Sequence, residues 1–216
     1  MNRILYLHGF ASGPSSSKAR YFRGRLEAAG AQVEVPDLAA GDFEHLTLSG
    51  QLAVLEALAR PDGCAQPVAL AGSSMGGYLA ALYAAHHTEV TRLVLLAPAF
   101  GFGRRWLESL GDAAMERWRT SGSMEVFHYA ENRPRAISYR LMEDASAYEE
   151  FPDFRQPALI FHGAHDDVVP PALSRTFAAS HPNARLEIVD SGHELLNVLD
   201  YMAPKIEAFL AADECG

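Results

Sequence analysis

The segment of this chain best suited to nucleophilic chemistry is Gly72-Ser73-Ser74-Met75-Gly76-Gly77, in which Ser74 lies between glycines two residues away on either side. An apolar stretch typical of a strand precedes it, and a small-residue stretch typical of a helix follows. In a sharp strand-to-helix turn, glycines avoid backbone collisions and the serine stands at the positive end of the helix dipole. A helix N-cap is the structural alternative for Ser74. The agreement of strand, turn and helix favours the nucleophile.

A serine nucleophile needs a general base, and the chain offers nine histidines. We predict that the base is His193, which lies in Asp190-Ser191-Gly192-His193-Glu194 between the last predicted strand and the last predicted helix. A loop there can carry an imidazole towards Ser74, although a surface-loop histidine is the alternative. Asp190 is expected to cap this loop.

Two adjacent carboxylates, Asp166 and Asp167, follow the predicted fifth strand, and one of them is expected to orient the base. Because they are neighbours, at most one can point inward, and the residues alone leave the choice open. His162, His165 and Asp166 also invite comparison with a metal site. No second cluster offers further ligands, so we predict no metal and no cofactor.

The first predicted strand ends in His8-Gly9-Phe10 and is expected to lie beside the strand that precedes Ser74. We predict that the backbone N–H groups of Phe10 and Met75 form an oxyanion hole. His8 is expected to hold this loop through hydrogen bonds. The apolar residues predicted to form a substrate pocket are Phe10, Tyr78, Phe100, Phe102, Trp106 and Leu195. Ordinary packing in the core or cap is an equal alternative for each of them.

Short apolar runs alternate along the chain with longer helical patterns, which predicts an α/β fold. The predicted strands are Ile4–Leu7, Val33–Val35, Val68–Ala71, Leu93–Leu96, Ala158–Phe161 and Leu186–Val189. Because the middle strands are apolar on both faces, we expect a parallel, doubly wound sheet covered by helices. Sites in such sheets form at the carboxyl ends of the strands, where all the candidate residues lie.

Residues 101–156 form an unusually long connection between the fourth and fifth predicted strands. A helical pattern over Arg104–Arg119 and a hairpin around Asn132-Arg133-Pro134 are predicted within it. We interpret the segment as a small cap or lid, with an elaborated crossover helix as the alternative.

Four segments resemble motifs of the α/β-hydrolase superfamily: Leu7–Phe10, Gly72–Gly77, His162–Pro170 and Ser191–His193. The chain most resembles small bacterial carboxylesterases related to monoacylglycerol lipases and acyl-protein thioesterases. This resemblance implies a Ser-Asp-His order along the chain. Its H-G-x-x-D-x-x-V-P acid-loop pattern selects Asp166 over Asp167. We expect one α/β-hydrolase domain over residues 1–216, without the usual first two strands of the superfamily and with a mostly parallel sheet of about six strands.

The expected function is hydrolysis of a small-molecule carboxylic ester, of small to medium acyl chain, through an acyl-enzyme on Ser74. An acyl thioesterase with the same triad is the nearest alternative, and a hydrolase-fold protein that binds a ligand without turnover is another. The natural substrate and the oligomeric state stay open.

The composition narrows the choice of partners and compartment. The net charge of −9, without a basic stripe, argues against nucleic acid and anionic membranes as partners. No apolar run approaches the roughly 20 residues of a membrane span, and no secretory signal is evident. Cys64 and Cys215 do not suggest a disulfide framework. We therefore expect a cytoplasmic protein.

Overall fold

The structure, a computed structural model, describes residues 3–212 and contains eight strands. They are β1 (Arg3–Leu7), β2 (Gln32–Glu34), β3 (Val68–Ser73), β4 (Val90–Leu96), β5 (Ser123–His128), β6 (Arg133–Ser138), β7 (Ala158–Gly163) and β8 (Ala184–Val189). Six of these form one sheet in the order β2-β1-β3-β4-β7-β8, and every neighbouring pair is parallel. The prediction of a mostly parallel sheet of about six strands is confirmed.

Eight α-helices connect and cover these strands. They are α1 (Ser17–Ala28), α2 (Leu48–Ala59), α3 (Met75–His86), α4 (Phe102–Leu110), α5 (Asp112–Ser121), α6 (Arg140–Ala145), α7 (Pro171–Ser180) and α8 (Leu199–Ala211). Side-chain caps fix two of the starts: Ser16 accepts from the N–H of Ala19, and Thr47 accepts from the N–H of Gly50. Helix α8 begins later than the predicted Leu195, because a short 3₁₀ turn over Leu196–Val198 precedes it.

The two faces of the sheet bury separate cores, as the two-residue period of a strand requires. On β1, Leu5 and Leu7 pack into the core shared with α2 and α3, whereas Ile4 and Tyr6 pack into the core shared with α1 and α8. Helix α3 is buried along most of its length. Its small residues let it pack close to the sheet, which holds its N-terminus firmly at the carboxyl edge.

The long connection between β4 and β7 folds into α4, α5, the antiparallel hairpin of β5 and β6, and α6. The prediction of a single helix over Arg104–Arg119 is wrong in one respect, because the segment is divided into α4 and α5. Gly111 separates them with a φ of +72°, a left-handed conformation that ends α4. The predicted hairpin forms, but its turn lies at residues 129–132 and not at 132–134, because Arg133 and Pro134 already belong to β6 and pair with His128 and Phe127.

The expectations from the sequence also concern the cysteines and the apolar character of the helices. Cys64 is exposed and unpaired, whereas Cys215 lies outside the described residues. Within residues 3–212, the structure has no helix with the length and apolar character needed to cross a membrane.

Candidate active site

Ser74 occupies the turn between β3 and α3 in a conformation that few non-glycine residues adopt, with φ of +54° and ψ of −117°. The tight packing around it explains both glycines. A Cβ on Gly72 would lie 2.3 Å from the carbonyl oxygen of Gly76, and a Cβ on Gly76 would lie 2.1 Å from that of Leu7. The Ser74 hydroxyl makes no capping hydrogen bond to α3, so the N-cap alternative does not describe this residue.

The structure brings Ser74, His193 and Asp166 together at the carboxyl edge of the sheet; we call these three residues the triad. The Oγ atom of Ser74 lies 3.0 Å from Nε2 of His193. On the other side of the ring, Nδ1 of His193 lies 2.8 Å from Oδ2 of Asp166. The hydroxyl, the imidazole and the carboxylate therefore form one continuous file of hydrogen bonds.

The carboxylate of Asp166 is fully buried and bonded on both oxygens. Oδ1 accepts from the backbone N–H groups of Val168 and Val169, at 2.9 and 2.7 Å. Burial alone raises the pKa of this carboxyl, but hydrogen bonds from His162, His193 and the Val169 N–H outweigh burial and hold the pKa well below its usual range. Asp166 is therefore ionised, and the neighbouring Asp167 is exposed.

The ionised carboxylate fixes the tautomer of the imidazole. Because Asp166 can only accept, Nδ1 of His193 carries the proton that lies between them, and Nε2 is left as an acceptor. That acceptor faces the Ser74 hydroxyl. This is the protonation state in which the ring can take a proton from serine.

His162 supports Asp166 from behind, a role that the sequence did not reveal. Its Nδ1 lies 2.7 Å from Oγ of Ser174, and its Nε2 lies 2.8 Å from the Val169 carbonyl oxygen and 3.1 Å from Oδ2 of Asp166. Because the carbonyl only accepts, Nε2 carries the proton and donates. His165 is exposed and contacts Asp190 instead, so the two histidines do not converge with Asp166 on a common point.

The loop after β1 approaches Ser74 closely. A Cβ on Gly9 would lie 3.5 Å from Cβ of Ser74, and Phe10 and Met75 line the same cavity as Ser74. Met75 is the first residue of α3, so its N–H has no acceptor within the helix. The backbone N–H groups of Phe10 and Met75, which are the predicted oxyanion donors, therefore belong to segments that border Ser74.

His8 holds this loop to the neighbouring segment, as expected. Its Nε2 accepts a hydrogen bond from the Leu38 N–H at 3.4 Å, and its Nδ1 lies 3.0 Å from the Gly9 carbonyl oxygen. Burial lowers the pKa of His8, which favours the neutral ring that these two contacts require.

A cavity of about 870 Å³ opens above Ser74 and His193. Three of the predicted pocket residues line it: Phe10, Phe102 and Trp106. Their rings are in contact, with centroids 5.3 Å apart between Phe10 and Trp106 and 5.8 Å apart between Phe102 and Trp106. The apolar side of the cavity is therefore shared between the loop after β1 and helix α4.

The expectation for Tyr78, Phe100 and Leu195 is corrected, because all three are buried in the cores and do not line the cavity. Tyr78 turns its hydroxyl to the carbonyl oxygen of Glu149, at 2.7 Å. Phe100 stacks on Phe177 with centroids 4.5 Å apart. Leu195 points into the core under α8, and its exposed neighbour Leu196 reaches the cavity instead.

The comparisons with known proteins agree with this architecture. A sequence model of the family described as "Uncharacterised protein family (UPF0227)" matches residues 3–211. The chain belongs to this family. The UPF0227 match spans the whole triad together with the segment between β4 and β7. A search of curated proteins gave no significant match.

Solved structures similar to this UPF0227 chain have the α/β-hydrolase fold, as the sequence motifs predicted. A candidate hydrolase from Agrobacterium vitis S4 is 26% identical, with a TM-score of 0.83 over 97% of this chain and 88% of that one. Mouse alpha/beta hydrolase domain-containing protein 10 is 18% identical, with a TM-score of 0.80 over 96% and 89%. A monoacylglycerol lipase from Paleococcus ferrophilus is 17% identical, with a TM-score of 0.75 over 96% and 93%.

Proposed function

We propose that this protein is a serine hydrolase that cleaves carboxylic esters of small to medium acyl chain. The observation that carries the proposal is the file of hydrogen bonds through the triad, from the Ser74 hydroxyl to an ionised carboxylate that holds the base in its accepting tautomer. The monoacylglycerol lipase among the similar structures fits such an activity.

The proposed reaction proceeds through an acyl-enzyme. Ser74 Oγ attacks the ester carbonyl carbon while His193 Nε2 takes its proton. The oxyanion that develops is stabilised by the N–H groups of Phe10 and Met75. When the intermediate collapses, the carbon–oxygen bond to the alcohol breaks and His193 donates its proton to that alcohol. Water then attacks the acyl-enzyme with His193 again as base, which releases the carboxylic acid and restores Ser74.

The aromatic wall of the cavity supports the proposed preference for small to medium acyl groups. Helix α4 supplies Phe102 and Trp106 to this wall, and Trp106 is supported from behind by Trp118 with ring centroids 5.3 Å apart. Trp118 is in turn fixed by a hydrogen bond from Nε1 to the Ile137 carbonyl oxygen, at 2.9 Å. We include in this proposal that residues 101–156 act as a cap that limits the length of the bound acyl chain.

The test is labelling with a fluorophosphonate probe, combined with rates on p-nitrophenyl esters from acetate to palmitate. We expect covalent labelling of the wild type and none of Ser74→Ala, with the highest kcat/KM on acyl chains of about two to eight carbons. An unlabelled wild type that hydrolyses none of these esters would contradict the proposal. Parallel rates on acyl-CoA and acyl-cysteine thioesters would show whether a thioesterase describes the protein better.

A further inference from the structure

The wall of the cavity formed by β1 and the start of α1 contains a hydroxyl with no hydrogen-bond partner. The side chain of Tyr6 is almost fully buried and lines the cavity, and its hydroxyl oxygen is buried without a partner among the described residues. Burial raises the pKa of Tyr6, so the group is a neutral O–H donor. A buried donor without an acceptor is costly, which makes it a feature that calls for an explanation.

Lys18, in the first turn of α1, lines the same cavity and also lacks a partner. Its side chain is half-buried, and within residues 3–212 it forms neither an ion pair nor a hydrogen bond. The chain has one other lysine, Lys205, whose ammonium binds the Glu187 carboxylate on the outside of the molecule. Of the two lysines, Lys18 is therefore the one whose ammonium is available to bind a ligand in the cavity.

The other charged groups around the cavity leave Lys18 available. Glu194 and Asp167 are exposed, where water screens their attraction, and neither lies within ion-pair distance of Lys18. Arg105, on α4, also lines the cavity and donates to the carbonyl oxygen of Val168. Burial lowers the pKa of Lys18, while the charges of Glu194 and Asp166 act in the opposite direction.

Resting on the proposed ester hydrolysis, we infer that Tyr6 and Lys18 form a subsite for an anionic oxygen group, a carboxylate or a phosphate, carried by the substrate. Such a group supplies an acceptor for the Lys18 ammonium, which binds either anion because it acts as a point charge. The Tyr6 hydroxyl is covered in this structure, so a small shift of the cavity wall must accompany its donation to the same group. The N-terminus of α1 adds its positive dipole end beside Lys18. A neutral ester satisfies neither donor in this way.

The subsite and the nucleophile open into one cavity, so one molecule must carry both the anion and the scissile ester. Matched pairs of esters test this. On the acyl side, the mono-p-nitrophenyl ester of adipic acid is paired with the p-nitrophenyl ester of 6-methylheptanoic acid. On the alcohol side, 4-butyryloxybenzoate and 4-butyryloxyphenyl phosphate are paired with methyl 4-butyryloxybenzoate. These substrates distinguish a carboxylate from a phosphate, and an anion on the acyl side of the ester from one on the alcohol side.

The measured quantity is the ratio of kcat/KM for the anionic ester to that for its neutral partner. We expect Lys18→Met to lower this ratio at least tenfold relative to wild type in at least one pair, mainly through KM, and Lys18→Arg to restore most of it. Lys205→Met is the matched control, since its ammonium is bound to Glu187. It should leave the ratio unchanged.

Tyr6→Phe keeps the test decisive if a substitution at Lys18 disturbs folding. The change removes an oxygen that has no partner in the protein, so we expect Tm to be unchanged or higher. The ratio should still fall about threefold to tenfold. Ratios that neither Lys18→Met nor Tyr6→Phe alters would overturn the subsite, even if the neutral esters are hydrolysed. Absence of turnover on every ester would instead refute the proposed function.

Discussion

Within residues 3–212, a buried carboxylate, an imidazole and a hydroxyl meet at two places. The first is the triad. The second, which we call the Glu89 cluster, consists of Glu89, His87, Tyr83 and Glu56 between α2, α3 and the start of β4. Nδ1 of His87 lies 3.2 Å from Oε1 of Glu89, and the Tyr83 hydroxyl lies 3.0 Å from one oxygen of each glutamate. The same three kinds of group are therefore present at both places.

The order of the groups differs, and this order decides what the hydroxyl can do. In the triad the hydroxyl faces the imidazole, and the carboxylate lies beyond it. In the Glu89 cluster, the single Tyr83 proton is donated directly to a carboxylate, either Glu56 or Glu89, and the Tyr83 ring stacks on His87 with centroids 3.8 Å apart. Arg60 lies within 3.6 Å of Glu89 and offsets its charge. Burial and both hydrogen bonds raise the pKa of Tyr83, so this hydroxyl stays protonated.

The largest effect expected from this comparison is on the two hydroxyls. Ser74→Ala should lower kcat/KM for a short p-nitrophenyl ester by about 10⁴–10⁶-fold, because no other group can form the acyl-enzyme. Tyr83→Phe, the matched change in the Glu89 cluster, should alter it less than about twofold. Steady-state rates and active-site titration measure both. A Ser74→Ala enzyme that keeps a tenth of the activity would break the distinction.

Replacing the two carboxylates should show the same contrast, with a large loss of activity at Asp166 and a small one at Glu89. Asp166→Asn should lower kcat by about 10³–10⁴-fold, because an amide can donate to Nδ1 and so favour the tautomer that cannot accept from Ser74. Glu89→Gln should leave kcat within about twofold. Single-turnover rates on the same ester provide the measurement. Equal losses in the two variants would mean that the order of the groups is not what matters.

The Glu89 cluster should matter for the free energy of unfolding, although it should not matter for activity. Glu89→Gln keeps the shape of the side chain but weakens its contacts with Tyr83 and Arg60, which should cost about 1–3 kcal/mol in the free energy of unfolding. Urea denaturation followed by circular dichroism measures the loss. A Glu89→Gln protein as stable as the wild type would show that this cluster contributes nothing to folding.

The smallest expected effect is on the pH dependence of stability. In both regions the carboxyl pKa lies below its usual range: for Asp166 and for Glu89, burial raises the pKa but hydrogen bonds and neighbouring positive charge outweigh it. A depressed folded-state pKa gives stability that is complete above the unfolded value of about 4 and is lost as the pH falls. We expect the wild type to lose stability from pH 5 to pH 3.

The two amide variants test this pH dependence. Asp166→Asn and Glu89→Gln should each flatten the curve, by at most about 1.4 kcal/mol per pH unit, which is the slope for one proton. Urea titrations at several pH values give this slope. A steeper curve in either variant would contradict the sign of the shift.

The meeting of Ser74, His193 and an aspartate could be predicted from the sequence because each follows a strand, and the carboxyl ends of parallel strands meet at one edge. The choice of Asp166 over its neighbour Asp167 comes from the resemblance to the hydrolase acid-loop pattern. The residues that line the pocket were harder to predict. Phe100 and Leu195 are apolar residues next to site segments, but apolar character does not reveal which core a side chain enters. Leu195 takes a left-handed conformation, with φ of +56°, that turns Leu196 to the cavity in its place.

Residues whose contacts come from distant parts of the chain could not be identified from a local sequence pattern. Tyr6 has the pattern of a strand core residue, and only the packing of α1 against β1 shows that its hydroxyl is orphaned. Lys18 has the pattern of an ordinary helix residue until the cavity beside it is known. His162 belongs to the acid-loop motif, but its supporting contacts depend on Ser174 in α7, which has no motif of its own.

The hydrogen bond from Arg105 to the Val168 carbonyl has a consequence for protein engineering. Val168 also donates its N–H to Asp166, so helix α4, which borders the cavity, is linked through Val168 to the carboxylate of the triad. Under the proposed ester hydrolysis, we expect substitutions in α4 that widen the cavity to lower turnover as well, because they remove a contact that supports the loop of Asp166. Substrate range and catalytic rate would then be coupled, and libraries that vary Arg105 together with Val168 would separate them.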